Sequence, residues 1–243
     1  MRYAIISDIH GNLEALNEVL RKIDNLKIDK IYNLGDLVGY GPDPDKVIDI
    51  ILKEDIPSIM GNHDEAVIDI QKSNRFNEYA KKAVIYTLSK LTEEHKSFLE
   101  SLPLKLIEDK FSMVHASFYY PDFWNYVDMR NVYIQFEYLE NDIGFIGHTH
   151  IPAVYIKSKK EEKIFLESPK EKIYLEDDKK YIINVGSVGQ PRDGDKRASF
   201  VVYDAKENCI EFYRVEYNIE RVYEKIKKNN LPDFLGKRLF DGI

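Results

Sequence analysis

The sequence contains a single cysteine, Cys209, so no disulfide can form within the chain. A chain without disulfides fits a reducing compartment, and we expect Cys209 to be an inert strand residue. No apolar run approaches the ~20 residues that a membrane-spanning helix needs. The apolar run at the start of the sequence is too short for a secretory signal peptide. We therefore expect a cytoplasmic protein with no membrane partner.

An excess of positive charge is also missing. The chain has 35 Lys and Arg against 42 Asp and Glu, a net charge of −7. Because proteins bind nucleic-acid backbones through basic residues, we expect no stable nucleic-acid partner. Apolar residues make up 44% of the 243 residues, which is a globular composition and predicts a single domain over residues 1–243. The sequence gives no indication of an oligomeric state.

Short apolar runs recur along the chain, and several end in polar, chemically capable residues. They cover residues 3–6, 30–34, 58–60, 111–114, 144–146 and 181–185. Nearly continuous apolar runs predict strands buried on both faces. Helices are predicted to begin after the caps Asn12, Asp43, Thr92 and Asn218, and a further helix is predicted over Asn77–Leu91. The early alternation predicts parallel βαβ units, and the strand-rich second half adds a further sheet, so we predict an α/β fold with two packed sheets and helices outside.

Five of the six histidines directly follow predicted strands: His10, His63, His115, His148 and His150. The sixth, His95, is predicted to be an exposed helix residue. Strand ends at one sheet edge are where open α/β folds bind ligands, so these residues can converge. Any one of these histidines alone is better explained as a packed core residue. Asp8 or Asp36 alone is better explained as a helix cap or a turn residue. Their joint position indicates a site.

The chain closely resembles the calcineurin-like metallophosphoesterase family. The resemblance is carried by Asp8-x-His10, Gly35-Asp36-x-x-Gly39, Gly61-Asn62-His63-Asp64, a lone His115 and Gly147-His148-Thr149-His150. Residues 184–192 also resemble a small bacterial and archaeal branch of that family. The implied fold is an αββα four-layer sandwich, two sheets flanked by helices. One departure is Ala116, where many members have glycine.

The resemblance implies two metal ions that share one carboxylate. One ion would be held by Asp8, His10, Asp36 and His150, and the other by Asp36, Asn62, His115 and His148. Mixed imidazole and carboxylate ligation suits divalent Mn, Fe, Zn, Ni or Co better than Mg or Ca. Two such ions exceed the charge of two aspartates by about two, which favours a hydroxide bridging the metals and an anionic phosphoryl group.

Other residues are predicted to act on the substrate. The resemblance implies that His63 faces the substrate as a catalytic residue, with Asp64 orienting it. Arg192 is a candidate for binding a phosphate oxygen, although a salt bridge to Asp193 or Asp195 is an equal alternative. Tyr40 is a second candidate for substrate binding. It belongs to a group of aromatic residues that either line a pocket for a base or aryl group or serve packing: Tyr40, Phe118, Tyr119, Tyr120, Phe123, Trp124 and Tyr126.

The predicted function is metal-dependent hydrolysis of phosphoesters by attack of the bridging hydroxide, with diesters as the favoured substrate. A phosphomonoesterase, either a protein phosphatase or a dinucleoside tetraphosphatase, is the first alternative. A non-catalytic scaffold of the same fold that binds other proteins is an alternative of another class. The intact set of metal-ligand types argues against the scaffold, because protein binding does not require them.

Overall fold

The computed structural model describes residues 1–161 and 163–243, which form eleven strands and eight α-helices. The strands are β1 (Arg2–Ile6), β2 (Lys30–Asn33), β3 (Lys105–Ile107), β4 (Phe111–Val114), β5 (Ile143–Ile146), β6 (Ala153–Ser158), β7 (Ile164–Glu167), β8 (Lys172–Tyr174), β9 (Lys179–Asn184), β10 (Ala198–Asp204) and β11 (Cys209–Val215). The helices are α1 (Leu13–Asp24), α2 (Pro44–Lys53), α3 (Asn62–Ile68), α4 (Glu78–Leu88), α5 (Glu93–Glu100), α6 (Val132–Tyr138), α7 (Ile219–Lys228) and α8 (Asp233–Lys237). Short 3-10 helices span Ile70–Arg75, Pro121–Phe123 and Arg238–Phe240.

The strands form two mixed sheets. The first has the order β2-β1-β10-β11-β8 and the second β3-β4-β5-β9-β6-β7. β1 and β2 are parallel and joined by α1, which confirms the predicted βαβ unit. In the second sheet β4, β5 and β9 are parallel, while β3, β6 and β7 add antiparallel edges. The predicted strand over residues 58–60 is reduced to one bridge, from Ser58 to Asn33.

The core is layered because successive strand residues point to opposite faces. In β1, Ile5 packs between the two sheets with Phe145 of β5. Ala4 and Ile6 face the other way, into a cluster that includes Leu16 of α1 and Val47 of α2. Beyond the second sheet, α6 supplies Val132 and Phe136 to a cluster with residues of β4, β5, β6 and β9. The order of layers is helices, sheet, sheet and helix, which confirms the predicted αββα sandwich.

Three of the four predicted helix caps are confirmed, and Asn77 caps a further helix. The side chains of Asn12, Asn77, Thr92 and Asn218 each accept a backbone N–H in the first turn of α1, α4, α5 and α7. Asp43 precedes α2 without a capping hydrogen bond, because its carboxylate pairs with Lys46 and Lys225 instead. None of the described helices is long and apolar enough to cross a bilayer.

The predicted exposure of His95 is wrong. Its ring is buried, and Nε2 lies 3.0 Å from Oδ1 of Asp49 in α2. His95 is the third residue of α5, so its side chain turns back toward the Thr92 cap and the neighbouring helix. Cys209 is buried in β11 as expected.

Candidate metal centre

Six of the predicted ligands come together at one edge of the sandwich. Asp8 and His10 follow β1, Asp36 follows β2, His115 follows β4, and His148 and His150 follow β5. They form two groups whose donor atoms lie within 4.8 Å of one another, and Asp36 belongs to both groups. Asn62 begins α3 beside them, where the next residue donates its backbone N–H to Oδ1 of Asp36 at 2.8 Å. All seven side chains are buried.

The first group consists of Asp8, His10, Asp36 and His150. Nε2 of His10 lies 3.0 Å from Nε2 of His150 and 3.6 Å from Oδ2 of Asp36. Nε2 of His150 lies 3.2 Å from Oδ1 of Asp8. Two imidazole nitrogens and two carboxylate oxygens therefore point at a common centre.

The second group consists of Asp36, His115 and His148, with Asn62 adjacent. Nε2 of His115 lies 3.2 Å from Nδ1 of His148 and 3.4 Å from Oδ2 of Asp36. The same Asp36 oxygen thus faces both groups. Apart from Asn62, which lies beside the second group, the two groups contain the residues that the resemblance implied.

Backbone carbonyls fix which nitrogen of each ring faces the centre. Nδ1 of His10, His115 and His150 lies 3.0, 2.8 and 2.6 Å from the carbonyl oxygens of Val38, Leu34 and Gln190. A carbonyl can only accept, so each Nδ1 carries a proton, and each Nε2 is the atom that faces the centre and can offer its lone pair to a cation. Such outer hydrogen bonds orient the imidazoles of metal sites.

The donor set fits divalent metal ions. Two nitrogens bound to one ion at about 2.1 Å would lie about 3 Å apart, which is the spacing of the two Nε2 atoms in the first group. Without a cation, lone pairs would face each other at that spacing. Oδ1 of Asp8 and Oδ1 of Asn62 are buried and have no hydrogen-bond partner among the described residues. Buried oxygens of this kind need a partner, and a cation between the side chains would provide one.

The electrostatics of the cluster also favour bound positive charge. Burial by itself raises the pKa of Asp8 and Asp36, but the neighbouring histidines more than reverse this and hold both carboxyls below their usual range. Burial opposes a charge on His115, yet the carboxylates of Asp36 and Asp8 raise its pKa to about 9. His148 is the opposite case, because burial and the charge of His115 lower its pKa to about 3. Two buried carboxylates thus attract protons when no other cation is bound.

The backbone around the cluster is strained. Asp8, His10, Asp36, His148 and His150 all have left-handed backbone conformations, with φ between 50° and 66°. Such residues cost of order 1–3 kcal/mol each and collect at functional sites. The glycines of the motifs allow the backbone to approach the ligand side chains closely. A Cβ on Gly61 would lie 2.2 Å from Oδ1 of Asp36, and one on Gly147 would lie 2.1 Å from Oγ of Ser7. Any side chain there would displace a ligand or its neighbour.

His63 lies over the cluster, as predicted, but Asp64 does not contact its ring. The His63 ring packs 4.5 Å from both Tyr40 and Phe76, and its Nδ1 has no hydrogen-bond partner among the described residues. Burial, together with the charge of Arg192, lowers the pKa of His63 to about 4. The carboxylate of Asp64 instead accepts the backbone N–H groups of residues 36, 38 and 61, at 2.8, 3.2 and 3.0 Å. Asp64 therefore ties the Asp36 turn to the start of α3, and the predicted contact with His63 is wrong.

Arg192 and Tyr40 both line the cavity above the cluster. The guanidinium group of Arg192 donates to Oε1 of Gln190 and lies 5.7 Å from the centre of the Tyr40 ring. The alternative of a salt bridge to Asp193 or Asp195 is wrong, because Arg214 and Arg197 pair with those carboxylates. Among the described residues, the Arg192 guanidinium makes no carboxylate pair.

The cavity has a volume of about 270 Å³ and is walled by aromatic and cationic side chains. Phe123, Trp124 and Tyr126 line it, as one of the two readings of the aromatic residues predicted. Tyr126 stacks on His148, with ring centres 4.3 Å apart. Phe118 instead packs in the core, and Tyr119 and Tyr120, whose rings are tilted against each other, do not line the cavity. Six further lining residues were not predicted, and the only signal for them is that they follow the Asn62 motif closely: Glu65, Lys72, Arg75, Phe76, Asn77 and Ala80.

Comparisons with known proteins agree with this geometry. The sequence profile of the calcineurin-like phosphoesterase superfamily domain matches residues 1–208. An uncharacterized protein of Methanocaldococcus jannaschii is 45% identical over 243 residues, covering 98% of this chain and 97% of that protein. A symmetrical bis(5'-nucleosyl)-tetraphosphatase of Wigglesworthia glossinidia brevipalpis is 35% identical over 129 residues, which span 48% of this chain and 44% of that protein.

A solved structure extends the likeness to the whole chain. The crystal structure of a metallophosphoesterase from Sphaerobacter thermophilus has a TM-score of 0.86 and 36% identity, covering 100% of this chain and 99% of that one. The predicted enzyme class, a hydrolase of phosphoesters, is confirmed by these relationships. The profile match, the full-length structural likeness and the two ligand groups lead to one conclusion: the chain belongs to the calcineurin-like phosphoesterase superfamily.

Proposed function

We propose that the protein hydrolyses phosphoesters with two divalent transition-metal ions. Asp8, His10, Asp36 and His150 would hold one ion, and Asp36, Asn62, His115 and His148 the other. The observation that carries the proposal is the shared carboxylate, since one oxygen of Asp36 faces the imidazoles of both groups at 3.4 and 3.6 Å. Pairs of adjacent metal ions are typical of enzymes that clamp a phosphoryl group. We propose Mn, Fe, Zn, Ni or Co as the ions.

The bound ions would supply Lewis acidity toward the phosphoryl oxygens and toward water. The chain itself would do the remaining work. The guanidinium of Arg192 would bind a phosphoryl oxygen, because it lines the cavity and has no carboxylate partner among the described residues. His63 lies at the cavity wall, where its ring would donate a proton or a hydrogen bond to the leaving oxygen. Tyr40, which contacts both the His10 and His63 rings, would hold this wall in position.

We also propose that diesters are preferred to monoesters. The cavity has walls beside both ligand groups. Tyr40 and Arg192 adjoin the first group, whereas Trp124 and Tyr126 contact the rings of His115 and His148 in the second. Both substituents of a diester would therefore have side chains to contact, while a monoester would leave one wall bare. The alternatives are a monoesterase and a scaffold.

The test is turnover by protein that has been stripped of metal and then reloaded. Mn²⁺, Ni²⁺, Co²⁺, Zn²⁺ or Mg²⁺ would be added, and hydrolysis of bis(nitrophenyl) phosphate compared with that of nitrophenyl phosphate. We expect turnover only with metal, and faster turnover of the diester. A faster monoester reaction would select the monoesterase. No turnover with any metal would refute the proposal and favour the scaffold.

A further inference from the structure

The cavity beyond the metal ligands has more side chains than a phosphoryl group alone would need. Besides Tyr40, four aromatic residues line it and are here called the aromatic arc: Phe76, Phe123, Trp124 and Tyr126. Phe123 and Tyr126 are 57% and 55% exposed, so large apolar surfaces face the opening. Leaving aromatic surface in water is unfavourable, and a planar ring stacked on it would bury that surface. The arc therefore indicates a substrate with a planar ring.

One member of the aromatic arc is held in place by a polar chain. The indole Nε1 of Trp124 donates to Oε2 of Glu65 at 2.8 Å, and Oε1 of Glu65 accepts from Nζ of Lys72 at 2.9 Å. Trp124 keeps this position although its backbone is left-handed, with φ of 57°. A bulky residue rarely adopts that conformation, so the hydrogen bond from Trp124 to Glu65 of α3 holds this part of the cavity wall in place.

Arg75 adds an unpaired positive charge to the same rim. Lys72 and Arg75 are three residues apart in one 3-10 helix, so their side chains point the same way. Glu65 neutralises Lys72, whereas Arg75 makes no ion pair among the described residues. Arg75 and Arg192 line the same cavity from different segments, Arg75 from the 3-10 helix over Ile70–Arg75 and Arg192 from the chain after β9. The cavity thus has a second cation for an anionic group that does not react.

We propose that the substrate is a nucleotide-type diester that carries a second, non-reacting phosphate. Its base would stack on the aromatic arc, and the second phosphate would pair with Arg75. This inference rests on the proposed function. In the reaction, the oxygen of water bonds to phosphorus and the bond from phosphorus to the leaving sugar oxygen breaks. One proton of water goes to that oxygen, and the other leaves to solvent or remains on the product monoester.

A matched pair of substrates tests the second phosphate. A dinucleotide with one internal diester would be compared with the same dinucleotide carrying an additional terminal phosphate, using metal-loaded enzyme. We expect the terminal phosphate to raise kcat/KM about tenfold, mainly through KM, which is the factor for about 1.4 kcal/mol. Arg75→Gln should remove this advantage, so that kcat/KM falls about tenfold more for the phosphorylated dinucleotide than for the unphosphorylated one. Arg21→Gln on α1, whose side chain is 76% exposed outside the cavity, is the matched control and should retain the advantage.

A second variant separates stacking from charge. Phe123→Leu should lower kcat/KM for both dinucleotides by about fivefold or more. The ratio of the two kcat/KM values should stay the same, because stacking on a base does not depend on the terminal phosphate. Phe123 is exposed, so its replacement does not threaten folding. Equal rates for the two dinucleotides in the unmodified enzyme would overturn the inference. So would an Arg75→Gln effect of the same size on both, or faster turnover of a phosphoserine peptide. Bis(nitrophenyl) phosphate keeps the two proposals distinguishable, since its turnover supports the proposed function even if neither dinucleotide is favoured.

Discussion

His10 and His150 point their Nε2 atoms at each other across 3.0 Å, and neither nitrogen carries a proton, because each ring donates from Nδ1 to a backbone carbonyl. Two lone pairs at that distance repel unless a positive charge lies against both. The carbonyls of Val38 and Gln190 that impose this arrangement belong to segments far apart in the chain. The fold therefore holds the imidazoles ready for a cation, and the following predictions depend on that arrangement.

Asp36→Asn should abolish binding of both ions, because both ligand groups contain Asp36. Asparagine tolerates the left-handed backbone of this position, where φ is 54°, so the fold should survive. We expect turnover to fall by more than about a hundredfold, the upper cost of losing one outer-shell partner of a metal ligand. Metal content per chain and kcat would be measured, with the exposed Asp24→Asn as the control. Retention of one ion would show that the groups are independent.

Metal removal should destabilise the protein. An ion that binds only the folded chain, supplied at about a hundred times its Kd, adds about 2.7 kcal/mol to the free energy of unfolding. For a chain of this size that corresponds to a rise in Tm of roughly 5–10 °C. Thermal unfolding with a chelator and with Mn²⁺ would measure the shift. Asp36→Asn should show no such rise, and an equal rise in that variant would place the stabilising ion elsewhere.

Trp124 should report on the second ligand group through its fluorescence. It is the only tryptophan, and its indole lies 5.8 Å from the His115 ring, centre to centre. A paramagnetic ion such as Mn²⁺ bound there would quench the emission, in a saturable manner and at the concentration at which calorimetry detects binding. Zn²⁺, which is diamagnetic, should quench less. Binding by calorimetry without any change in emission would separate the ion from His115.

His63→Gln should leave both ions bound and lower kcat by about 10²–10⁴-fold, the usual range for loss of a proton donor. The ring packs against the ring of His10, with centres 4.9 Å apart, but its Nδ1 makes no hydrogen bond among the described residues. The backbone N–H of residue 63, which donates to Asp36, is kept in the variant. If His63 protonates the leaving oxygen, the loss should be larger for an alkyl leaving group than for nitrophenolate, which leaves without a proton. Loss of metal from this variant would contradict the assigned role.

Asp64→Asn should cost stability, because an amide replaces an acceptor that binds three backbone N–H groups. We expect a loss of about 1–3 kcal/mol in the free energy of unfolding. Denaturant unfolding would measure it, and the dependence of kcat on the leaving group should remain as in the unmodified enzyme. A variant with unchanged stability that lost this dependence would instead restore Asp64 as the residue that orients His63.

The predictions from sequence that were confirmed depend on local interactions, and those that were wrong depend on contacts between distant segments. Local patterns sufficed for the helix starts at Asn12 and Thr92, because a cap acts within one turn. They also sufficed to locate Asp8, His10 and His115 at strand ends. They failed for His95 and Asp64, whose partners lie on other elements: Asp49 and the Asp36 turn.

The sequence by itself determined the types of donor, their order along the chain and their places after buried strands, since strand periodicity and glycine turns are local properties. Only the tertiary structure decided which ring nitrogen faces the centre, that one oxygen of Asp36 faces both groups, and that residues 65–76 and 123–126 meet to wall one cavity. Several of these features involve pairs of residues that are a hundred or more positions apart in the chain, such as His10 and His150. Contacts of that separation depend on how the two sheets pack, and no local pattern in the chain encodes that packing.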